Sequence, residues 1–130
     1  RFNITLKQCV EMVLWSIKNS LGSEIFIPKL QSYRIVDLAK AINPKCKIKF
    51  VGAKQGEKIY EELITPNDAR NLLDIGDYYV YVEDLKIRKK YINKYKNIKF
   101  PKNGFYYTSE TNKKYLSIKQ IKKLIEQFSN

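Results

Sequence analysis

The sequence contains no histidine and only two cysteines, Cys9 and Cys46. A Ser-His-Asp triad within the chain is therefore excluded, and a zinc site made from cysteine and histidine is implausible. Two cysteines do not make the disulfide framework that stabilises small secreted domains. Cys9 falls on the apolar side of a helical pattern, which predicts a small side chain in the core. We expect no metal site in this chain.

Long apolar runs are also missing. No segment approaches the ~20 consecutive apolar residues that a membrane-spanning helix needs, and no signal peptide is visible. We therefore expect a cytoplasmic protein without a membrane span. The length of 130 residues and the apolar fraction of 44% predict a single folded domain over residues 1–130. Because the first residue is Arg1 rather than Met, one interpretation is a fragment of a longer protein.

Acidic residues are few relative to basic ones, and the formal net charge is +12. Such a charge indicates acidic partners, namely nucleic acid, a membrane surface or phosphate-bearing metabolites. Arginine, however, is scarce, since 21 of the 25 basic residues are lysine. Recognition of phosphates or bases by bidentate hydrogen bonds would favour arginine. The charge therefore does not by itself identify a nucleic-acid-binding protein.

Residues 86–102 form the most basic segment and interleave lysines with tyrosines. Cations that follow phosphates and rings that stack on bases are what a single-strand binder needs. A solvated lysine face over packed tyrosines is the more usual explanation. We predict a partly irregular basic arm over residues 86–106, with a small nucleic-acid-binding module as the less favoured interpretation.

Apolar spacing and capping signals predict alternating helices and strands. Capping boxes that begin at Thr5 and Ser117 predict two helix starts. The first helix should bury one apolar stripe, and the second should turn a stripe from Ile118 to Phe128 inwards. The other predicted elements are strands at 24–28, 47–51 and 78–82, a helix at 34–42 and a helix from Thr65 onwards. The strand-helix-strand order over 24–51 implies a crossover with parallel pairing, and hence an α/β fold of short parallel strands with covering helices.

Two polar segments are candidate binding sites. In residues 52–63, Gly52 and Gly56 loosen the backbone, while Lys54 and Lys58 supply positive charge. A loop of this composition after a strand is where an α/β protein binds an anionic ligand, although a solvated turn is the alternative. Residues 107–112 are dense in hydroxyl groups, which suit either a turn or hydrogen bonds to sugars and phosphates.

Five segments occur together at a characteristic order and spacing. They are RFNITL from Arg1, GSEIFIPK from Gly22, DLAKA from Asp37, GAKQGEK from Gly52 and YTSETN from Tyr107. In these segments the chain resembles the C-terminal part of the inverting UDP-N-acetylglucosamine 4,6-dehydratases. That family belongs to the extended short-chain dehydrogenase/reductase superfamily and to bacterial polysaccharide biosynthesis. The resemblance covers nearly the whole chain apart from the basic arm.

The resemblance implies an NADP-dependent lyase that oxidises C4 of a UDP-sugar, removes water across C5 and C6, and inverts C5. In the family, an N-terminal Rossmann half carries the cofactor site and the catalytic residues. With that half absent, we expect this chain to be the UDP-sugar-binding part, without catalytic or cofactor-binding residues. It should be inactive without a Rossmann half, in the same or a separate chain, and the intact enzyme should be a homo-oligomer. The implied pathway is the synthesis of surface polysaccharide or flagellin-glycan precursors.

The resemblance also implies which residues bind the substrate. The family has a substrate-contacting arginine before Pro-Gly-Glu-Lys, and the matching residue here is Lys54. A lysine keeps the charge but loses the planar fork of arginine, which puts substrate affinity or selectivity in doubt. The second implied contact falls on Thr108, Ser109, Glu110 and Thr111. A nucleotide-sugar epimerase of the same superfamily remains an alternative, because the residues that decide the reaction lie outside the chain.

Overall fold

The computed structural model describes the backbone of residues 1–128 and the side chains of residues 1–127. The strands are β1 (Phe2–Asn3), β2 (Ile25–Pro28), β3 (Gln31–Ser32), β4 (Glu62–Ile64), β5 (Leu72–Asp74), β6 (Tyr78–Tyr81) and β7 (Tyr107–Thr108). The helices are α1 (Leu6–Asn19), α2 (Ile35–Ile42), α3 (Leu85–Lys94) and α4 (Ile118–Phe128), with a 3-10 helix at Asp68–Asn71. Two compact units share these elements. Residues 1–3, 30–61 and those from 108 onwards form the first unit, and residues 4–29 and 62–107 form the second.

The second unit is built on a three-stranded antiparallel sheet with the order β2-β6-β5. Val80 in the central strand lies opposite Phe26 of β2 and Leu73 of β5. Leu73, Val80, Val82 and Tyr91 are fully buried and form the core of this unit. The hairpin between β5 and β6 turns at Gly76, whose φ of +107° suits glycine, and the Gly76 N–H donates to Asp74 Oδ1 at 3.0 Å.

The first unit packs α2 against α4. Ala41, Leu116 and Ile121 are buried between the helices, with Leu38 and Leu124 beside them. The side chain of Phe128, which was predicted to turn inwards with the same stripe, lies outside the described residues.

Ser32 connects separate segments of the first unit. It pairs with Phe2 in the antiparallel β1–β3 ladder. Its N–H donates to the Lys114 carbonyl, and its carbonyl accepts from the Leu116 N–H, both at 2.8 Å. Asn112 Nδ2 donates to Ser32 Oγ at 2.9 Å. One fully buried serine therefore joins the first, middle and last segments of this unit.

The predicted parallel pairing is wrong. Residues 47–51 form no strand, and Phe50 and Val51 are 82% and 78% exposed. Without that strand the proposed crossover does not exist, and β2 pairs antiparallel with β6 instead. An alternating run becomes a strand only when a partner strand supplies hydrogen bonds, and the sequence of the run does not show whether a partner is available. The chain is a mixed α/β protein whose registered ladders are antiparallel.

Both predicted capping boxes are confirmed. The Gln8 N–H donates to Thr5 Oγ1 at 3.2 Å, and the Thr5 N–H donates to Gln8 Oε1 at 2.9 Å. The same reciprocal pair joins Ser117 and Gln120 at the start of α4. These interactions span three residues, so their chemistry can be recognised locally.

The helix predicted from Thr65 is wrong beyond its first turn. Asp68 Oδ2 accepts from the Thr65 N–H at 2.8 Å, but only a 3-10 helix follows. Leu72 and Leu73 then enter β5, because they pair with Tyr81 and Val80 of β6. Pairing across the sheet has overridden the local helix signal.

The basic arm predicted over residues 86–106 is helical in its first half. Residues 85–94 form α3, whose first N–H groups are capped by Asp84: Oδ1 accepts from the Lys86 N–H at 2.7 Å and from the Ile87 N–H at 3.0 Å. Tyr91 is fully buried on the inner side of this helix. Beyond α3 the segment is irregular apart from a bridge between Lys99 and Asp74.

Helix α1 does not bury the predicted apolar stripe. None of its residues is fully buried, and Leu6 and Ile17 are 76% and 73% exposed. Cys9 is exposed as well, so its predicted place in the core is wrong. The periodicity gave the helix and its amphipathic pattern correctly, but it does not show which side of the helix meets the rest of the unit.

A polar link joins Tyr91 to Glu24 inside the second unit. The Tyr91 hydroxyl donates to Glu24 Oε1 at 3.0 Å and to the Asn19 carbonyl at 3.2 Å. Burial alone would raise the pKa of Glu24, but hydrogen bonds from Ser20, Leu21 and Tyr91 outweigh burial and lower it. The ionised carboxylate is therefore favoured by folding.

We expect Tyr91→Phe to reduce the free energy of unfolding at pH 7 by about 1 kcal/mol, a value kept low because Glu24 is only partly buried. A lowered folded-state pKa contributes stability above the unfolded pKa, and that stability is lost as pH falls through the folded value. The difference from wild type should therefore shrink towards pH 3 in urea unfolding. Tyr95→Phe is the matched control, since Tyr95 does not bond to Glu24. An equal deficit at both pH values would contradict the prediction.

Candidate functional site

Lys54 lies in an exposed turn of the first unit. The Lys54 N–H donates to Glu57 Oε2 at 3.1 Å, and the Glu57 N–H donates back to the Lys54 carbonyl at 3.0 Å. Gly52 and Gly56 flank the turn with φ values of +80° and +81°, which glycine adopts without strain. Within residues 1–127 no carboxylate lies at ion-pair distance from the Lys54 ammonium. This cation is therefore accessible.

The hydroxyl-rich segment uses much of its polarity inside the fold. Thr108 and Ser109 are buried. Thr108 Oγ1 shares a hydrogen bond of 2.9 Å with Thr111 Oγ1 and accepts from the Thr111 N–H at 3.1 Å. Ser109 Oγ accepts from the Glu61 N–H at 2.9 Å, and the Ser109 N–H donates to the Glu61 carbonyl at 2.8 Å. These contacts fix the backbone of the segment and leave Glu110 exposed.

A cavity of about 160 Å³ opens in the first unit beside this segment. Its lining includes Arg34, Tyr60, Ser109, Glu110 and Tyr115. The Tyr115 hydroxyl donates to the Ser109 carbonyl at 2.7 Å and to the Glu110 carbonyl at 3.1 Å, so the ring and the segment are held together. We call this the Arg34 cavity.

The structure brings only some of the predicted contacts to the Arg34 cavity. Ser109 and Glu110 line it, whereas Lys54, Thr108 and Thr111 do not. The hydroxyls of Thr108 and Ser109 already have protein partners. The substrate-binding role of these five residues stays a prediction.

Two arginines line the cavity, and their surroundings differ. The Arg1 guanidinium is paired with the Glu61 carboxylate, and its Nη2 donates to the Lys58 carbonyl at 2.9 Å. Arg34 has its Cζ atom 5.7 Å from the centre of the Tyr115 ring. No carboxylate among residues 1–127 pairs with Arg34. Arg34 is therefore the lining arginine that can take an anion.

Sequence reasoning missed Arg34 because it treated the residue only as the start of a helix. Arg34 is indeed the N-cap of α2, but its side chain makes no capping hydrogen bond. One signal in the sequence could have identified it. Arginine binds anions through a planar fork, and the chain has only four arginines, so each of them is a candidate anion ligand.

Neither a metal centre nor a membrane span is found among the described residues. No group of three or more His, Cys, Asp or Glu residues among them could hold a metal ion. None of the helices in the described part of the chain has the length and apolar character needed to cross a membrane.

Comparisons with known proteins find a consistent set of relatives. A family model described as polysaccharide biosynthesis protein matches residues 1–83. A UDP-N-acetylglucosamine 4,6-dehydratase (inverting) of Campylobacter jejuni is 35% identical over 131 residues, covering 96% of this chain and 39% of the relative. A UDP-glucose 4-epimerase of Rickettsia akari is 33% identical over 132 residues, covering 96% of this chain and 38% of the relative.

A solved structure gives the same result. The X-ray structure of Pen from Bacillus thuringiensis superposes with a TM-score of 0.76 at 28% identity, covering 99% of this chain and 39% of that one. The chain thus spans about two fifths of the length of the relatives that it matches. The predicted resemblance to the C-terminal part of the inverting dehydratases is confirmed, because two such dehydratases are among the similar proteins. Because the family model matches more than half of its residues, the chain belongs to the polysaccharide biosynthesis protein family.

Proposed function

We propose that this chain is the UDP-sugar-binding part of an NADP-dependent nucleotide-sugar dehydratase of the inverting UDP-N-acetylglucosamine 4,6 type. The observation that carries the proposal is the Arg34 cavity, in which Ser109 and Glu110 meet an arginine without an acidic partner. The names of the Campylobacter relatives support the reaction class. A role in surface-polysaccharide precursor synthesis agrees with the family.

The volume of the cavity limits what it can hold. Pockets for complete drug-sized ligands measure about 300–1,000 Å³, so a cavity of about 160 Å³ accepts part of a nucleotide-sugar. The Arg34 guanidinium suits the diphosphate, because its planar fork can donate two parallel hydrogen bonds. The Tyr115 ring beneath it limits the motion of the fork.

Glu110 has a different part in the proposal. An ionised carboxylate only accepts hydrogen bonds and repels phosphate, so Glu110 suits a sugar hydroxyl rather than the diphosphate. Thr108 and Ser109 act indirectly, since their hydroxyls hold the backbone that presents Glu110. Lys54 adds an accessible positive charge to the same unit.

The residues present do not fit NADP. A dinucleotide-binding loop follows a strand, opens a helix and carries closely spaced glycines. The turn at Gly52 and Gly56 follows an irregular segment and leads to β4 rather than to a helix. We therefore assign the cofactor to the remainder of the enzyme and derive no step through it.

An epimerase of the same superfamily is a second candidate. It is favoured by the Rickettsia epimerase, which matches the same share of the chain at almost the same identity. The binding part would serve either reaction, so the two are distinguished by the product.

The packing of two tyrosines in the basic segment argues against the nucleic-acid alternative. Tyr91 is buried, and its ring stacks on that of Tyr95 with 6.0 Å between centroids. Rings packed in this way cannot stack on bases. The lysines of α3 are therefore better explained as a solvated helix face.

The proposed function is tested with a fused chain, in which this chain replaces the matching 131 residues of the Campylobacter jejuni dehydratase. We expect the fused chain to convert UDP-N-acetylglucosamine to a 4-keto-6-deoxy sugar, and the isolated chain to convert nothing. A C4 epimer as product would favour the epimerase. A folded fused chain that binds no UDP-sugar would contradict both candidates.

We expect Lys54→Ala in the fused chain to raise the KM for the UDP-sugar by up to about fivefold with little change in kcat. An exposed cation contributes at most about 1 kcal/mol, because water and salt screen it. Lys45→Ala is the matched control, since Lys45 is an exposed lysine outside the predicted site. An unchanged KM for Lys54→Ala would remove Lys54 from the site.

A further inference from the structure

The positive charge of the chain is concentrated in one segment that contains no acidic residue. Between Asp84 and Glu110 the sequence has eight basic residues, so this segment supplies +8 of the net charge of +12. All eight belong to the second unit, and the seven lysines among them are exposed. We call these eight side chains the α3 surface: Lys86, Arg88, Lys89, Lys90, Lys94, Lys96, Lys99 and Lys102.

No carboxylate compensates the α3 surface. In the part of the chain that the structure describes, none of its eight cations forms an ion pair. Three neighbouring carboxylates have other partners. Asp84 caps the first N–H groups of α3, and Asp74 pairs with Lys29 Nζ at 2.7 Å. Glu83 accepts a hydrogen bond from the Tyr81 hydroxyl. The α3 surface therefore keeps its full positive charge.

These charges do not stabilise the helix that carries them. Lys90 is four residues from both Lys86 and Lys94, and like charges at this spacing destabilise a helix. Lys86 also lies in the first turn, where the positive end of the helix dipole repels a cation. A solvated face that served solubility alone would mix the two signs of charge. The uncompensated charge therefore indicates an acidic partner outside the chain.

Exposed apolar side chains border the α3 surface. Leu85 and Ile92 lie on the same side of α3 as Arg88, because they precede and follow it by three and four positions. They are 72% and 40% exposed. Phe100 continues this border, since its ring centre lies 6.0 Å from Arg88 Cζ and its side chain is 57% exposed. Lysines beside exposed leucine and phenylalanine are typical of helices that lie at the boundary of lipid headgroups and acyl chains.

We propose that the α3 surface binds the surface of an anionic phospholipid bilayer. The lysines lie among the phosphate headgroups, and Leu85 and Phe100 enter the boundary below them. Lysine suits this contact, since a lipid surface attracts point charges and offers no fixed geometry for the planar fork of arginine. Nucleic acid is the poorer match, because the rings of Tyr91 and Tyr95 stack on each other and are not available to bases.

Sedimentation of the 130-residue chain with lipid vesicles tests the proposal. The probes are vesicles of phosphatidylcholine alone and vesicles in which about 30% of the lipid is phosphatidylglycerol, which makes their surface negative. In about 0.1 M salt, we expect partitioning at least about a hundredfold stronger onto the anionic vesicles. In about 1 M salt the ratio should fall below about threefold, because the Debye length shrinks to ~3 Å.

Substitution of three lysines in α3 locates the contact. The triple variant Lys86→Gln, Lys89→Gln and Lys90→Gln should weaken partitioning onto the anionic vesicles by about a hundredfold, since each lysine near such a surface contributes about fivefold. The substitutions remove repelling charges from exposed positions, so the variant should keep its fold, which circular dichroism verifies. The lipid and salt dependence of the unsubstituted chain tests the proposal without any variant.

Helix α4 offers a matched control with the same charge and spacing. It has three exposed lysines at positions i, i+3 and i+4: Lys119, Lys122 and Lys123. Their joint replacement by glutamine lowers the net charge as much as the α3 triple does. It should weaken partitioning by less than about threefold, because charges outside the contact are screened over about 10 Å in 0.1 M salt.

Phe100→Ala tests the apolar part of the contact without changing the charge. We expect partitioning onto the anionic vesicles to weaken by about five- to tenfold, because the ring no longer leaves water. Phe50→Ala is the control, since Phe50 is 82% exposed and belongs to the first unit. It should leave partitioning unchanged. Equal effects of the two substitutions would overturn the place given to Phe100.

Three other results would overturn the lipid contact. One is equal partitioning onto neutral and anionic vesicles. Another is an equal loss for the α3 and α4 triples, because the net charge of the chain would then explain the binding. The third is a single-stranded oligonucleotide that displaces the chain from vesicles at an equal concentration of phosphate groups, which would assign the surface to nucleic acid. No substrate takes part in these measurements, so the proposed function stands or falls separately.

Discussion

Leu73→Ala should lower the free energy of unfolding by about 2–5 kcal/mol, because it removes buried methyl groups and leaves a cavity. Leu73 is completely buried in β5, opposite Val80 of the central strand. A loss of this size is a large part of the about 5–15 kcal/mol that holds a typical domain folded. Urea unfolding followed by circular dichroism measures the change.

Leu14→Ala is the matched control for Leu73→Ala. It removes the same atoms from a leucine that is 62% exposed on α1. Surface substitutions of this kind usually change stability by less than about 0.5 kcal/mol. Similar losses for the two variants would show that α1 buries its apolar stripe in the isolated chain, which would contradict the exposure of that stripe in the structure.

Arg34→Gln in the fused chain should raise the KM for the UDP-sugar by about ten- to a hundredfold, because a hydrogen bond to a charged group contributes about 1.5–3 kcal/mol. The fork of Arg34 sits on the Tyr115 ring, so little of that energy is spent on ordering the side chain. The value of kcat should change little, since the proposed contact of Arg34 is with a part of the substrate that does not react. Steady-state kinetics with UDP-N-acetylglucosamine measures both constants.

Two further variants make the Arg34 result specific. Arg34→Lys should recover only part of the affinity, because a lysine restores the charge without the planar fork. Arg70→Gln removes an exposed arginine in the 3-10 helix of the second unit and should leave the KM unchanged. If Arg34→Gln and Arg70→Gln behaved alike, the Arg34 cavity would not be the diphosphate site.

Features encoded within a few residues were predictable from the sequence. The capping boxes at Thr5 and Ser117 and the strands around Phe26 and Val80 follow from local chemistry and alternation. Features that depend on a distant partner were not. Residues 47–51 alternate like a strand but pair with no strand in the described part of the chain, and Leu72 left its predicted helix for a ladder with Tyr81.

The candidate site was likewise predictable only in part. The resemblance led to Ser109 and Glu110, which do line the cavity. It could not show that the hydroxyl of Ser109 is used within the fold, because its partner Glu61 lies 48 positions away in the sequence. Arg34 belongs to no periodic pattern, and its proposed role depends on its contact with Tyr115, which follows 81 positions later.

The position of Ser32 has a consequence for the order in which the chain folds during synthesis. Its backbone partners, Lys114 and Leu116, leave the ribosome after every residue of the second unit. The sheet and core of the second unit need nothing beyond residue 107. Chains emerge from the N-terminus, and contacts between residues distant in sequence form late. The second unit can therefore fold first. The unit that contains the Arg34 cavity is then completed only after residues 108–116 have left the ribosome.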